Sequence, residues 1–325
     1  MTQLRAAALG AGHYLPRRVV ENAEFEGQIE TSDEWIRTRS GIERRHFAAD
    51  GEITSDLAIF AARMALEDAG LDARDIDALI LATATPDQTF PATATRVQHL
   101  LGMGAGFAYD VHAVCAGFIY ALANANALIV SGQARRVLVI GAETFSRILD
   151  WTDRSTAVLF GDGAGALVLG ATPGGRGSSD RGILSTKIYS DGRYNDLLYV
   201  DGGVSTTQTT GVVRMQGREV FKHAVQKLAE AGEEALAAAG LGVEDVTWVV
   251  PHQANLRIIK ATAAKIGVPM DRIVVTVQDH GNTSAASIPL ALSVAHRAGR
   301  FERGDLLLME AIGGGLAWGA ATLRW

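Results

Sequence analysis

The stretch Ala65-Leu66-Glu67-Asp68-Ala69-Gly70-Leu71 returns 170 positions later as Ala235-Leu236-Ala237-Ala238-Ala239-Gly240-Leu241. Asp75-Ile76 then pairs with Asp245-Val246, and Leu79-Ile80 with Val249-Val250, at the same spacing of 170. Further on, Cys115-Ala116 pairs with Ser284-Ala285 and Val137-Leu138-Val139 with Leu306-Leu307-Leu308, at a spacing of 169. Helices rich in small residues match one another by chance, so no one segment decides anything. Five in order, three at one spacing and two at a spacing one residue shorter, describe a chain that carries one βα unit twice. Solenoid repeats run to about 20–50 residues, so this long period is of another kind. It predicts two similar halves about a pseudo-twofold axis, with a site where corresponding loops meet. The join is expected near residues 170–181, giving one half over 1–175 and the other over 176–325.

Apolar, strand-like runs lie at residues 6–9, 78–82, 137–140, 166–169, 248–250, 273–276, 306–309 and 320–323. Helix-length segments lie at 55–69, 115–130, 219–239, 254–266 and 283–298. Gly70, Gly132, Gly240, Gly267 and Gly299 follow those segments, where a positive φ ends a helix. Strands apolar on both faces, alternating with helices, predict α/β layers around buried sheets. At 325 residues the chain has room for about two domain-sized units. Its 48% hydrophobic and 20% charged content is that of an ordinary globular protein.

The 30 Lys and Arg against 36 Asp and Glu leave a net charge of −6, unlike a dedicated nucleic-acid binder. A single cysteine forms no intramolecular disulfide, so a cytoplasmic location is expected. The Met1-Thr2-Gln3-Leu4-Arg5 start carries no apolar run of the signal-peptide kind. The most apolar long stretch, 114–130, contains Asn124 and Asn126 and is short for a bilayer span. It reads as a buried helix, and no membrane association is expected.

Two glycine motifs suggest a dinucleotide site and fail on context. Gly10-Ala11-Gly12 follows a strand-like run, but Leu15-Pro16 stands where the third glycine and a helix should come. Gly161-Asp162-Gly163-Ala164-Gly165-Ala166 runs into a strand, so no helix N-terminus waits for a pyrophosphate. Both read as turns or close backbone approaches. Gly313-Gly314-Gly315 reads either as a plain turn or as backbone that points N–H groups into a cavity.

Three polar residues stand at strand-to-helix junctions. Cys115 lies at the start of a long helical run, where unpaired N–H groups favour a thiolate. The other reading of a free cysteine is a small buried hydrophobe. His252, in Val250-Pro251-His252-Gln253-Ala254-Asn255, follows a strand, a position suited to lining a site. Asn282, in His280-Gly281-Asn282-Thr283-Ser284, reads alone as a helix cap. At the 169 spacing Ser284 is the counterpart of Cys115, so the duplication supplies a reason for the three to converge.

The chain resembles the β-ketoacyl-acyl-carrier-protein synthase III family nearly end to end. The resemblance rests on Thr31-Ser32-Asp33-Glu34-Trp35-Ile36, Thr38-Arg39-Ser40-Gly41-Ile42, Cys115-Ala116-Gly117-Phe118 and Phe160-Gly161-Asp162-Gly163-Ala164-Gly165-Ala166. It continues through His252-Gln253-Ala254-Asn255, Gly281-Asn282-Thr283-Ser284-Ala285-Ala286-Ser287 and Gly313-Gly314-Gly315-Leu316-Ala317-Trp318-Gly319. It implies the thiolase fold, an internally duplicated five-layer αβαβα architecture, usually as a homodimer. It also implies a condensation of acyl-CoA with malonyl-acyl carrier protein that begins fatty-acid synthesis, with acetyl-CoA the expected starter and no cofactor or metal.

Residue by residue, the resemblance implies a nucleophile in Cys115 and donors to the malonyl thioester oxygen in a neutral His252 and in Asn282. A second oxyanion hole is implied at the N–H groups of Cys115 and Gly314. Trp35, with Arg39 and Arg154, resembles a CoA-binding group, and Phe90 the aromatic that closes a partner's acyl pocket. Lys222, Arg257, Lys260 and Lys265 resemble a basic patch for an acidic carrier protein. Arg218, Ile312 and Ala317 depart from the commoner family pattern.

A thiolase would need a second cysteine, and elongating condensing enzymes place a second histidine where Asn282 stands. A related enzyme of secondary metabolism, using another acyl-CoA or acceptor, remains as the alternative. An NAD(P)-dependent oxidoreductase is the distant one.

Overall fold

A computed structural model describes residues 4–174 and 180–325. The boundary expected between residues 175 and 176 lies outside the described residues. In chain order the strands are β1 (Leu4–Tyr14), β2 (Arg18–Glu21), β3 (Arg44–Phe47), β4 (Ala78–Ala82), β5 (Phe107–Val111), β6 (Arg136–Glu143), β7 (Gly163–Pro173), β8 (Gly182–Ser190), β9 (Leu198–Val200), β10 (Val213–Met215), β11 (Trp248–Pro251), β12 (Leu306–Gly313) and β13 (Ala317–Arg324). The helices are α1 (Asp33–Ser40), α2 (Thr54–Ala69), α3 (Thr93–Leu101), α4 (Gly117–Val130), α5 (Gly217–Ala238), α6 (Leu256–Ile266), α7 (Val277–His280) and α8 (Ser287–Arg297).

One sheet runs β1-β7-β6-β4-β5 and the other β8-β13-β12-β11, the same order of counterparts. In both, the middle strands are parallel while β7 and β13 run antiparallel to their neighbours. The two-residue period of a strand sends alternate side chains to opposite faces, and here both faces are apolar. On β4, Ala78, Ile80 and Ala82 face the central layer while Leu79 and Leu81 face outward. On β12, Leu307, Met309 and Ala311 face the centre and Leu306 and Leu308 face the other way. Helices α4 and α8 fill the centre, α2 and α3 cover the first sheet, and α5 and α6 lie on the far side of the second. The result is five layers, αβαβα, as the resemblance implies.

The halves correspond at a spacing of 170 throughout their central elements. β4 begins at Ala78 and β11 at Trp248, and β6 spans Arg136–Glu143 against β12 at Leu306–Gly313. The 169 spacing is therefore one residue off. Each central helix follows a 3₁₀ turn, Val114–Ala116 or Ser284–Ala286, that opens on a residue with left-handed φ, Val114 at 48° and Ser284 at 49°. Ser284 is thus the counterpart of Val114, and that of Cys115 is Ala285. Conformation fixes this register, whereas matching small side chains slipped it.

Two further expectations change. Residues 273–276 touch β11 only through a bridge from Ile273 to Val249 and form no strand. The Gln253 side chain occupies their backbone instead, donating to Val274 O at 3.0 Å and accepting from Thr276 N at 2.8 Å. Gly10 and Gly12 do not follow a strand but lie within β1. Helix α2 crosses them so closely that a Cβ on Gly12 would lie 2.3 Å from Ala61 O and from Ala65 N. Those glycines let strand and helix backbones touch, and no dinucleotide loop forms. Gly12→Ala is therefore expected to destabilise the protein by about 3 kcal/mol or more, read as a lowered denaturation midpoint.

Candidate active site

Cys115 is fully enclosed inside the turn that precedes α4. Its sulfur, His252 and Asn282 line one cavity of about 470 Å³. The local reading at a helix N-terminus favours a thiolate, but in the folded chain burial wins and pushes the thiol up to about 12. The charge of Glu143 pushes in the same direction, while the Ser284 hydroxyl pulls the other way. Burial thus favours the thiol over the thiolate at Cys115. Gly313, at the end of β12, abuts this turn, and a Cβ there would stand 2.6 Å from Cys115 N.

His252 follows β11, and its backbone N–H donates to Glu310 O at 2.8 Å. Ser287 at the start of α8 accepts from Gln253 N at 3.3 Å, which leaves its hydroxyl proton for His252 Nδ1 at 2.6 Å. With the hydroxyl as donor in that pair, the imidazole proton lies on Nε2, the nitrogen left for the cavity. Burial holds His252 down at about 3, so it is a neutral donor at working pH.

Asn282 is clamped across the two halves. Its N–H donates to Leu159 O at 2.9 Å and its carbonyl accepts from Gly161 N at 3.0 Å. Its side-chain oxygen accepts from Ser284 N at 2.9 Å, leaving the Nδ2 protons for the cavity. Two uncharged N–H donors therefore share one cavity with one thiol. Such a set suits a reaction in which negative charge develops on an oxygen beside the sulfur.

The remaining expected residues fall into three groups. Gly314 lines an adjoining cavity of about 690 Å³ together with Ala113 and Val114, and Leu198 walls both spaces. The Trp35 ring carries the Arg154 and Arg39 guanidinium groups at 5.0 and 5.8 Å. All three line a small cleft that shares Leu159, Met215, Gly217 and Asn255 with the Cys115 cavity. Arg257 and Arg218 line the Cys115 cavity as well. Lys222, Arg257, Lys260 and Lys265 are all exposed on α5 and α6. Phe90 is 82% exposed and stands apart from these cavities, on the loop before α3. Among the described residues no group of three or more His, Cys, Asp or Glu could hold a metal ion. No helix among them is long and apolar enough to cross a membrane.

Comparison with known proteins places the chain in a family. Family models described as 3-oxoacyl-[acyl-carrier-protein] synthase III and its C-terminal region match residues 109–192 and 236–325. A beta-ketoacyl-[acyl-carrier-protein] synthase III of Ruegeria pomeroyi is 70% identical over 321 residues, 99% of each chain. That of Rhodobacter capsulatus is 68% identical over 322 residues, again 99% of each chain. The chain belongs to the beta-ketoacyl-[acyl-carrier-protein] synthase III family. Among solved structures, the synthase III of Aquifex aeolicus superposes with a TM-score of 0.93 at 47% identity, covering 98% of this chain and 100% of that one. The priming β-ketosynthase of the R1128 polyketide pathway gives 0.92 at 37%, covering 99% and 96%. The fold is that of the thiolase-type synthases.

Sequence reasoning missed several residues that position this synthase III site. Ser287, which sets the His252 tautomer, looks like any helix-start serine. Gln253 closes the 273–276 segment beside His252. Arg45 is buried, donating to Val158 O at 2.6 Å and Asn22 Oδ1 at 2.8 Å, and steadies the 158–161 loop on which Asn282 hangs. Its signal was faint: an Arg within the short β3 strand. Glu143 did carry one, a lone carboxylate ending an apolar strand.

Because the folded-state pKa of His252 lies below the unfolded value near 6.5, the unfolded chain takes up a proton first as pH falls. The stability this neutral imidazole contributes is complete above about pH 6.5 and is lost progressively from there toward pH 3. ¹⁵N NMR of labelled histidine should show His252 neutral and protonated on Nε2 from pH 5 to 8. A midpoint near 6.5 at this residue would contradict the assignment.

Proposed function

We propose that this synthase III condenses an acyl-CoA starter, acetyl-CoA by preference, with malonyl-acyl carrier protein, using Cys115, His252 and Asn282. The enzyme is an acyltransferase that opens fatty-acid synthesis. The observation that carries the residue assignment is that one thiol and two neutral N–H donors face a single cavity. Cys115 Sγ attacks the acyl thioester, the acyl group moves to the cysteine and CoA departs. Malonyl-carrier then enters, and loss of CO₂ leaves an enolate whose oxygen accepts from His252 Nε2 and Asn282 Nδ2. Because neither donor is charged, both work without a change of protonation. The enolate carbon attacks the acyl carbonyl, whose oxygen is held by the N–H groups of Cys115 and Gly314. Collapse expels the cysteine sulfur and releases 3-oxoacyl-carrier.

The half over residues 1–175 supplies the nucleophile, and that over 176–325 supplies the two side-chain donors. Trp35, Arg39 and Arg154, at the mouth of the cavity, hold the CoA nucleotide by stacking and charge. Lys222, Arg257, Lys260 and Lys265 dock the acidic carrier. Arg257 belongs to both cavity wall and outer face, which supports entry from that side. Phe90 is a large apolar side chain in the open, as expected if a second copy of the chain covers it in a homodimer. The enzyme works in the cytoplasm and needs no cofactor. The likeness to the polyketide priming synthase keeps a secondary-metabolism reading in view, but at 37% identity it stands well behind the 70% of the synthase III relatives.

The half-reactions separate the roles. Cys115→Ala should take up no label from radiolabelled acetyl-CoA and form no product. His252→Ala and Asn282→Ala should still acylate, yet lose decarboxylation of malonyl-carrier by roughly a hundredfold or more each. Equal loss of both half-reactions in all three variants would overturn this division of labour.

A further inference from the structure

Glu143 is a buried carboxylate that the reaction above leaves unused. It ends β6 with no exposed surface. It accepts hydrogen bonds from Thr83 Oγ1 at 3.2 Å, Thr85 Oγ1 at 2.6 Å and Ala84 N at 3.1 Å. These partners are all neutral. Facing it is the turn Ser284–Ala286, which packs on β6 as the Cys115 turn packs on β12. Ser284 is fully buried, its backbone is held at φ 49°, and its hydroxyl makes no hydrogen bond of ordinary geometry. That hydroxyl lies within influence of both the Cys115 thiol and the Glu143 carboxylate, drawing down the proton affinity of each. An unspent hydroxyl therefore sits between the nucleophile and the one buried carboxylate that bears on it.

We propose that the Ser284 hydroxyl and the Glu143 carboxylate form a proton relay for the Cys115 thiol. In this relay the buried, unpartnered Ser284 hydroxyl carries the proton away from the sulfur, and Glu143 acts through Ser284 as a positioning residue that stores it. On acylation the Sγ–H bond breaks as the sulfur bonds to the acyl carbon, and Ser284 passes the proton to Glu143. The C–S bond to CoA breaks, and CoA leaves as a thiolate that takes its proton from water. The acyl-enzyme then holds a neutral thioester beside a neutral carboxylic acid, so no charge is stranded in the closed site. On condensation the tetrahedral intermediate expels the Cys115 thiolate, and Glu143 returns the proton through Ser284. Atoms and charge balance over the cycle, with one proton taken from water for each CO₂ released.

Few ionisable groups surround the relay: β12, which packs on the Cys115 turn, brings the buried Glu310, whose proton affinity burial raises to about 8. β4, β7 and the turn Ser284–Ala286 carry no ionisable side chain. α4 brings Tyr120, α2 brings Asp56, Arg63, Glu67 and Asp68, and α8 brings His296 and Arg297, all half-buried or exposed. None of these is among the leading influences on Glu143, which are burial and the groups of Thr85, Ala84, Ser284 and Ala285. Together they place its proton at about 7, within reach of a thiol's exchange.

The inference rests on Cys115 being the acylated residue, so the test reads the two separately. Acetyl transfer from acetyl-CoA is followed by rapid quench from pH 5.5 to 9 in the parent, Ser284→Ala and Glu143→Gln. Mass mapping of the label on the parent checks Cys115 itself. The parent rate should rise through a midpoint near 7 as Glu143 ionises. Both variants should lose that rise, acylating on the order of a hundredfold more slowly at pH 8 and approaching the parent below pH 6. Parent-like rates at pH 8 in Ser284→Ala overturn the relay, as does a uniform loss that keeps the midpoint. Ser284→Ala removes no established hydrogen bond, so it decides the matter even if Glu143→Gln does not fold.

Discussion

The molecule depends on a crossed contact between its two halves. The turn that carries Cys115 lies against the end of β12 in the second half, and the turn at Ser284 lies against β6 in the first. The fit leaves no room for side chains. A Cβ on Gly313 would meet Cys115 N at 2.6 Å, and one on Gly141 would meet Ala285 O at 2.2 Å. A protein interior at crystal-like density transmits such constraints rather than absorbing them. The position of the sulfur is therefore set by the opposite half, and so is that of Asn282, whose backbone is bonded to residues 159 and 161.

Duplication gives two such crossings, and the chain uses them differently. Glu143 and Gly313 are counterparts at the ends of the two middle strands. Where the glycine stands, the turn opposite carries Cys115. At the other crossing, the glutamate stands against a turn whose counterpart of Cys115 is Ala285. One crossing thus holds the sulfur and the other the carboxylate, close enough for Glu143 to raise the thiol's affinity for its proton. Burial keeps the residents neutral at rest: a thiol, an imidazole at about 3 and an amide. Charge appears in this site only as bonds change, where fixed dipoles act most strongly.

Much of this was legible in the sequence because close packing leaves a mark. The repeated Ala-Leu…Ala-Gly-Leu stretch survives where α2 must lie directly on β1, and the apolar runs report strands covered on both faces. Cys115, His252 and Asn282 were found because all three end a strand or begin a helix in the duplicated unit. What was not legible depends on contacts between residues far apart. Matching small side chains slipped the register by one, and the shared left-handed φ of Val114 and Ser284 restores it. Residues 273–276 have the composition of a strand, but the Gln253 amide takes the backbone groups that pairing would have used. The helix N-terminus argued for a thiolate, and enclosure by the opposite half, invisible locally, outweighs it. Ser287 matters only through the ring it touches.

The most direct measurement is a crystal structure of the enzyme soaked with acetyl-CoA and frozen before malonyl-carrier is added. Continuous density is expected from Cys115 Sγ to an acetyl group, its oxygen toward the N–H groups of Cys115 and Gly314. His252 Nε2 and Asn282 Nδ2 should open on the same space with no protein partner. An acetyl group on any other residue, or those two donors turned into separate cavities, would contradict it.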